Sequence, residues 1–500
     1  MKGKKLIAVI ITLLFVSTSV AGCAYSQAVF VKQPQPTTAT TAAPTGTPTP
    51  TATTTPTPEV TPAPTEAAAD GTLNVVYISA SKLKVRESAD AKAKALDSLI
   101  KGAAVNIVEE VKDSAGKSWY KVSYDSAAGK AEGFVAAEFT VKDRTELLSE
   151  ALRKLDFSPQ DKTYEYPGNP RVEARGIYLT KYSASNDRLD KLIEMTKRTK
   201  INTFVIDVKD DKGHMLFKTK AAEKYSPEAN NYATVKDIAA LMKKLKDNNI
   251  YAVARIVSFK DPTYTKQHPE RAIIYRETGK PFTNSDGLIW ASAYDEELWA
   301  YNLEVSKEAA AAGFNEIQFD YVRFPASNGG KLDRSLDYRN TSGETKPQAI
   351  QDYLKYAREQ LKPYNVYIAA DIYGLVGSVA DDMSLGQYWE AVSNVVDYVC
   401  PMMYPSHYAN NTYGLPVPDA YPYETIYHSA KDSVARNRNI KTPAAVRPWI
   451  QDFTATWVAG HIKYSDKQVE QQIKALEENG VKEYLLWNAG NSYSEGAVAK

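Results

Sequence analysis

Residues 315–325, NEIQFDYVRFP, decide how the chain is read. Ile317, Phe319, Tyr321, Val322 and Phe324 form an apolar run of strand type, yet Asp320 stands inside it, with Arg323 three residues on and Pro325 as a stop. An aspartate among apolar strand residues costs free energy unless it is paired, hydrogen-bonded or used in chemistry. Either Asp320 closes a buried salt bridge, or it is a working carboxylate at the C-terminal mouth of a barrel.

Outward from this stretch the chain alternates strand and helix. The spacing predicts strands at 174–179, 202–209, 251–259, 316–324, 366–373, 397–404, 443–451 and 483–489. Amphipathic segments lie between them, among them DRLDKLIEMTKRT (187–199), VKDIAALMKKLKDNN (235–249) and DKQVEQQIKALEENG (466–480). In the last, Val469, Ile473 and Leu476 keep helical spacing and Gly480 supplies the stop. Strands alternating with helices imply parallel βαβ units. Eight strands in roughly 320 residues fit an α/β fold of the (β/α)8 TIM-barrel type, over residues 172–493 with a tail at 494–500. A doubly wound open sheet is the alternative, but no Gly-rich phosphate loop follows any of the strands.

Polar residues recur at the C-terminal ends of these strands. The second ends in Asp207, Lys209, Asp210 and Asp211, and the third carries Arg255. The fourth has Gln318 and Asp320, and the fifth Asp371 and Tyr373. The sixth ends in Tyr404 and His407, the seventh in Arg447, Trp449, Gln451 and Asp452, and the eighth in Trp487 and Asn488. Side chains alternate across a strand, so Asp207 and Lys209, Gln318 and Asp320, and Asp371 and Tyr373 each share one face. Independent structural salt bridges would not favour one end of a barrel, whereas barrel enzymes place their chemistry there.

The chain has no His-Glu-x-x-His, Cys-x-x-Cys, Gly-x-Ser-x-Gly, Walker or dinucleotide motif, so no metal and no cofactor is expected. DVKDDKG (207–213) lacks EF-hand spacing and reads as a turn with solvated acids. An acid-rich, aromatic-rich mouth suits a glycan, whose hydroxyls meet carboxylates and whose ring faces meet Trp or Tyr. Trp290, Trp449 and Trp487 are candidate platforms, although core packing is the commoner use of such residues. Glycoside hydrolysis needs two carboxyl groups. Asp320 and Asp371 are the pair expected here, with Asp207 third. Lys209, Arg255, Gln318, Arg323, Tyr373, Tyr404, His407, Trp449, Gln451, Trp487 and Asn488 are the candidate substrate-binding residues. The rival class is a non-catalytic glycan-binding or scaffolding surface lipoprotein. A carboxylate pair about 5–10 Å apart in an open cleft favours catalysis, and a carboxylate locked by bidentate arginine favours structure.

The stretches EARGIYLTKYSA, NTFVIDVKDDKG, YAVARIVSFKDP, NEIQFDYVRFP, AADIYG and VCPMMYPSHY resemble the family described as "putative glycosyl hydrolase domain", found in bacterial surface proteins. That family is itself similar to barrel glycosidases of the α-amylase group. The resemblance implies a nucleophile at Asp320, ending strand four, and an acid at Asp371 on strand five. Amylases carry Glu at the second position and Arg two residues before the nucleophile, where Gln318 stands here.

The N-terminal part reads differently. Lys2, Lys4 and Lys5 precede an apolar run from Leu6 to Val16, the order of a secretory signal over residues 1–22. Val20, Ala21 and Gly22 before Cys23 resemble a bacterial lipobox, which implies lipidation of Cys23 and a lipid-anchored protein on the cell surface. Within residues 23–71, the Pro/Thr/Ala stretch 34–66 has no side chains to bury and favours an extended, disordered linker. Short alternating strands over 72–141 predict a small all-β barrel, and KLKVRESAD, IKGAAVNIV, SWYKVSY and AEGFVAAEF resemble the bacterial SH3 domain. That resemblance implies either a peptidoglycan-binding module or a spacer. A connecting helix is expected at 143–155, within a 142–171 link. The net charge of +1, with both signs scattered, gives no electrostatic reason to expect nucleic acid. Cys400, the second of two cysteines, sits in an apolar setting and reads as buried and inert.

Overall fold

The computed structural model describes residues 75–126 and 129–500. The predicted signal segment, Cys23 and the Pro/Thr linker lie outside them. Residues Val75–Val141 form one seven-stranded antiparallel sheet, packed on Val76, Ile78, Val85, Val105, Val122 and Val135. Its edge strands, Ala95–Ile100 and Thr140–Val141, are not hydrogen-bonded to each other, so the small domain is an open half-barrel.

The expected connecting helix is two separate turns, a 3-10 turn Arg144–Leu147 and an α-turn Glu150–Arg153. Asp143 accepts from Thr145 N and Ser149 accepts from Leu152 N, so each turn begins on its own cap. Leu148 between them is extended, and one continuous helix is therefore broken.

Eight parallel strands then close a barrel: β1 (Arg175–Leu179), β2 (Thr203–Lys209), β3 (Tyr251–Val257), β4 (Glu316–Asp320), β5 (Tyr367–Tyr373), β6 (Tyr398–Met403), β7 (Trp449–Gln451) and β8 (Tyr484–Trp487). β8 pairs with β1, which completes the ring. Seven helices cover it: α1 (Arg188–Arg198), α2 (Ile238–Asp247), α3 (Glu296–Ala312), α4 (Lys346–Leu361), α5 (Trp389–Val395), α6 (Pro422–Asn437) and α7 (Asp466–Glu477). Thr345 with Gln348 and Ser465 with Gln468 form capping boxes that start α4 and α7.

Alternation along each strand divides the apolar residues into two shells. Phe204, Ile206, Ile317 and Phe319 face outward to the helices, while Val205, Val253, Ala369, Cys400, Trp449 and Leu485 fill the barrel interior. The interior is a packed core, so ligands reach the barrel only at its ends.

Candidate functional site

The inward positions at the C-terminal ends of the strands are occupied by Tyr178, Asp207, Arg255, Asp320, Asp371 and Trp487. Arg255, fully buried, is the hub. Its Nε and Nη2 both donate to Asp320 Oδ2, at 2.9 and 2.5 Å. Nη1 donates to Asp207 Oδ1 at 2.5 Å and Nη2 to Asp211 Oδ1 at 3.0 Å. Its guanidinium also lies 5.7 Å from the centre of the Trp487 ring. One cation therefore gathers carboxylates from β2, the loop after it, and β4.

The β4 strand ends at Asp320 because the chain turns sharply there. Tyr321 takes φ 47, a left-handed conformation uncommon for an aromatic residue, and its N–H donates to Asp320 Oδ1 at 2.5 Å. Tyr321, Val322 and Phe324, expected in the strand, belong to the loop instead.

Asp371 has a different environment. Trp449 Nε1 donates to its Oδ1 at 2.7 Å, while Oδ2 is buried with no hydrogen-bond partner among the described residues. Burial, and then the negative charge of Asp320, push its carboxyl well above the ordinary range. Phe319 and Ala370 pair in register across β4 and β5, so the residues after them, Asp320 and Asp371, stand side by side on adjacent strands. Burial also pushes Asp207 up to about 7, against the opposing pull of Arg255 and of the Tyr178 hydroxyl, which donates to it at 2.5 Å. Desolvation would raise Asp211 too, but the charges of Arg255 and Lys260 outweigh it and hold the group down at about 2.

Other predicted residues take their places around this centre. Tyr404 is buried, and its hydroxyl is raised by burial and by the charges of Asp371 and Asp320. Trp487 is half-buried and stacks on Tyr178, ring centres 4.2 Å apart. Trp449 is fully buried and orients Asp371 rather than offering a ring face, and Trp290 is buried too. Gln318 lies one layer below the carboxylates, beside the Cys400 thiol that burial raises. His407, half-buried, packs edge-on against Tyr404 and is lowered to about 4 by burial. Tyr373 and Arg323 are half-buried on the rim near β5 and β4.

Four of the residues expected at the mouth lie away from this centre. Arg255 pairs with Asp207 but Ile256 pairs with Lys209, so a bulge at Val208 turns Lys209 out of the barrel. Its ammonium is fully buried against Asp261 at 2.7 Å and Asn302 at 2.6 Å. Arg447 lies at the opposite end of the barrel: strand seven is interrupted between Ala445–Val446 and Trp449, where Pro448 supplies no N–H, and Arg447 binds Glu316 at the start of β4. Gln451 ties the loop after β6 to Asp419, accepting from Ser406 N and donating to Asp419 Oδ1. Asn488 holds Asp452 O and Gly490 N.

Tyr178 and Lys260 join the site without having been expected there. Tyr178 was accessible, since it is an inward position near the end of β1. Lys260, which binds Asp211 and Asp286, sits in a loop where alternation carries no information. The DVKDDKG segment is a turn in which Asp210 accepts from Lys212 N and His214 N. Gly213, at φ +77, closes it, and a Cβ there would fall 2.0 Å from Asp261 Oδ1. Among the described residues no group of three His, Cys, Asp or Glu side chains is arranged to hold a metal ion.

Residues 176–493 match the family described as "Putative glycosyl hydrolase domain", and residues 81–141 match "Bacterial SH3 domain". No curated protein matches the chain. Among solved structures, a hypothetical protein from Ruminiclostridium thermocellum ATCC 27405 is 34% identical over 39% of this chain and 96% of its own, with a TM-score of 0.34. The PgaB (BpsB) glycoside hydrolase domain from Bordetella bronchiseptica is 13% identical over 63% and 94%, TM-score 0.45. The α-galactosidase TtGalA from Thermus thermophilus is 10% identical over 83% and 84%, TM-score 0.41.

Proposed function

The chain belongs to the family of the "Putative glycosyl hydrolase domain", and from that premise we propose that its barrel hydrolyses an extracellular or cell-wall polysaccharide through Asp320 and Asp371. The observation that carries this reading is the contrast between the two carboxyl groups. Asp371 is raised by burial and by its neighbour, and keeps one oxygen clear of protein partners, which suits an acid that protonates the leaving oxygen. Asp320 is held by the Arg255 cation, which suits the carboxylate that attacks the anomeric carbon. Adjacent parallel strands run about 4.8 Å apart. Carboxyl groups about 5–5.5 Å apart go with a covalent glycosyl-enzyme intermediate and retention of configuration. Trp487, stacked on Tyr178 and half-buried, offers a ring edge or face to a sugar.

One observation favours the rival reading, a glycan-binding surface protein without turnover. Asp320 accepts three hydrogen bonds, two on Oδ2 from Arg255 and one on Oδ1 from Tyr321 N. A carboxylate so held is a good structural anchor. Both guanidinium donors meet one oxygen, however, which is not the fork-to-fork arrangement of a closed pair.

Asp320→Asn separates the readings. If Asp320 is the nucleophile, the near-isosteric change removes turnover and leaves the melting temperature close to that of the parent protein. If it is only an anchor, the change removes one of the three carboxylates that meet Arg255 and lowers the melting temperature clearly, while activity survives at low temperature. The measurement is reducing-end release from a polysaccharide panel beside a thermal melt.

The same proposal extends to location. Lipidation at Cys23 anchors the chain outside the cytoplasmic membrane, the Pro/Thr segment spaces it from the surface, and the SH3-like domain meets the cell wall or acts as a spacer. Cys23→Ala is expected to move the protein from the membrane fraction to the medium. Unchanged membrane retention refutes the anchor.

A further inference from the structure

We propose that the glycan taken by this site is anionic, and that Arg323 receives the acidic group of a sugar bound beside Asp320 and Asp371. The inference rests on the reading of the barrel mouth as a glycan site.

The cations around the mouth are matched by acids with one exception. Arg255 pairs with Asp207, Asp211 and Asp320. Lys260 pairs with Asp286 at 2.7 Å and Asp211 at 3.3 Å. Lys181 pairs with Asp210 at 3.1 Å, and Lys209, behind β2, with Asp261. Arg323 has five N–H donors. It makes one hydrogen bond, from Nη1 to Phe324 O at 3.0 Å, and among the described residues no carboxylate lies within ion-pair distance of it. Two aromatic rings hold it instead, Trp290 at 4.8 Å and Tyr321 at 5.1 Å from the guanidinium. The Tyr321 backbone sits in its left-handed conformation directly after Asp320, and such departures from ordinary geometry gather at functional sites.

The result is a preorganised planar cation three residues from Asp320, partly open to solvent. Its charge is felt by the same neighbours that surround the carboxyl pair: Tyr321, Asp320, Tyr373 and Asp286. Burial lowers its pKa, as expected for a cation whose desolvation is only partly offset by the more distant charges of Asp320 and Asp286 and by no direct ion pair. An incoming carboxylate or phosphate offsets that cost and satisfies the fork with two parallel hydrogen bonds. The nearby acids do not forbid an anion. Asp371 is raised well above the ordinary range, Asp211 and Asp320 each meet Arg255, and Asp211 and Asp286 share Lys260.

The test is binding, read independently of cleavage, on the purified full chain. Calorimetric titrations use oligomers of galacturonate, glucuronate and mannuronate, each against its carboxyl-reduced neutral counterpart, with a sugar-phosphate polymer as a separate arm. At least one anionic oligomer is expected to bind tenfold or more tighter than its neutral partner, and the arm in which this occurs identifies carboxylate or phosphate. Arg323→Gln is expected to abolish the preference, and Arg323→Lys to keep part of it. Equal affinity for charged and reduced partners in the parent protein overturns the proposal, as does an unchanged preference in a folded Arg323→Gln variant, or no binding to any anionic member. Acid-selective binding without bond cleavage sustains this inference and defeats the hydrolase reading. Cleavage of neutral glycans without acid preference does the reverse.

Discussion

Two buried arginines occupy opposite ends of the same barrel, and they differ in what surrounds them. At the N-terminal end, Arg447 donates through Nη1 to both oxygens of Glu316, at 2.8 and 2.9 Å, and through Nε to Glu483 at 2.7 Å. Its guanidinium also lies 3.5 Å from the centre of the Tyr398 ring. The segment before β1 closes that end: Tyr166 packs on Tyr367, Asn169 holds Asn315 O and Asn365 O, and Arg171 lies over Tyr367 and Tyr398. At the C-terminal end, Arg255 also gathers carboxylates, but the matching is incomplete. Among the described residues Asp371 has no ion pair and one unpartnered oxygen, and Arg323 has no acid within ion-pair distance. A buried ion cluster under a cover serves the fold, even though Arg447 Nη2 is left without a hydrogen bond among the described residues. One that leaves a raised carboxyl and a half-buried cation without direct ion pairs is the arrangement we propose for a ligand.

The largest effect expected from breaking this contrast is on rate. Asp371→Asn should lower hydrolysis by about 10²–10⁴-fold while leaving the melting temperature nearly unchanged. Aryl glycosides whose leaving group needs no protonation should regain part of the loss. In the parent enzyme the alkaline limb of the pH–rate profile should lie well above the ordinary aspartate range, because burial and Asp320 hold the proton on Asp371. A destabilised Asp371→Asn variant with intact turnover assigns Asp371 to the fold.

Arg447→Met should do the opposite. It strands buried Glu316, so the expected loss is about 3–5 kcal/mol in denaturant unfolding, with activity retained at low temperature. Glu316→Gln in the same chain should recover part of that loss. Activity lost without loss of stability would make both ends functional.

A smaller effect concerns Asp207, raised from 3.8 to about 7. Its stabilising contribution is complete below the unfolded value and is lost as pH rises through about 7. Asp211, lowered to about 2, contributes above its unfolded value and loses that contribution as pH falls through about 2. Melting temperatures of Asp207→Asn across pH 4–8 should therefore lack the decline that the parent protein shows on approaching neutrality, while the acid-side decline remains. Parallel curves for the two proteins would show that Asp207 does not titrate in that window.

Much of this architecture was legible because it depends on periodicity. The alternation of apolar strands with amphipathic helices gave the order of the barrel, and parity within strands put Asp207, Arg255, Asp320, Asp371 and Trp449 on the inner face, where the apolar packing of Val205, Val253 and Ala369 continues beneath them. Parity failed where the backbone departs from regular geometry. The bulge at Val208 reversed Lys209, whereas Arg447 keeps the inward face and lies at the far end because it precedes Trp449 by two residues.

The order of strands, their inward and outward faces and the presence of carboxylates near one end were thus determined by the sequence alone, since side-chain direction follows from local backbone repeat. Which carboxylate meets which cation was decided only by the closed barrel. Arg255 reaches residues 48, 44 and 65 positions away in the chain, and Trp449 reaches Asp371 across 78. Charge at a buried carboxyl depends on desolvation and on neighbours within a few ångströms, quantities that have no value until remote strands have been brought together.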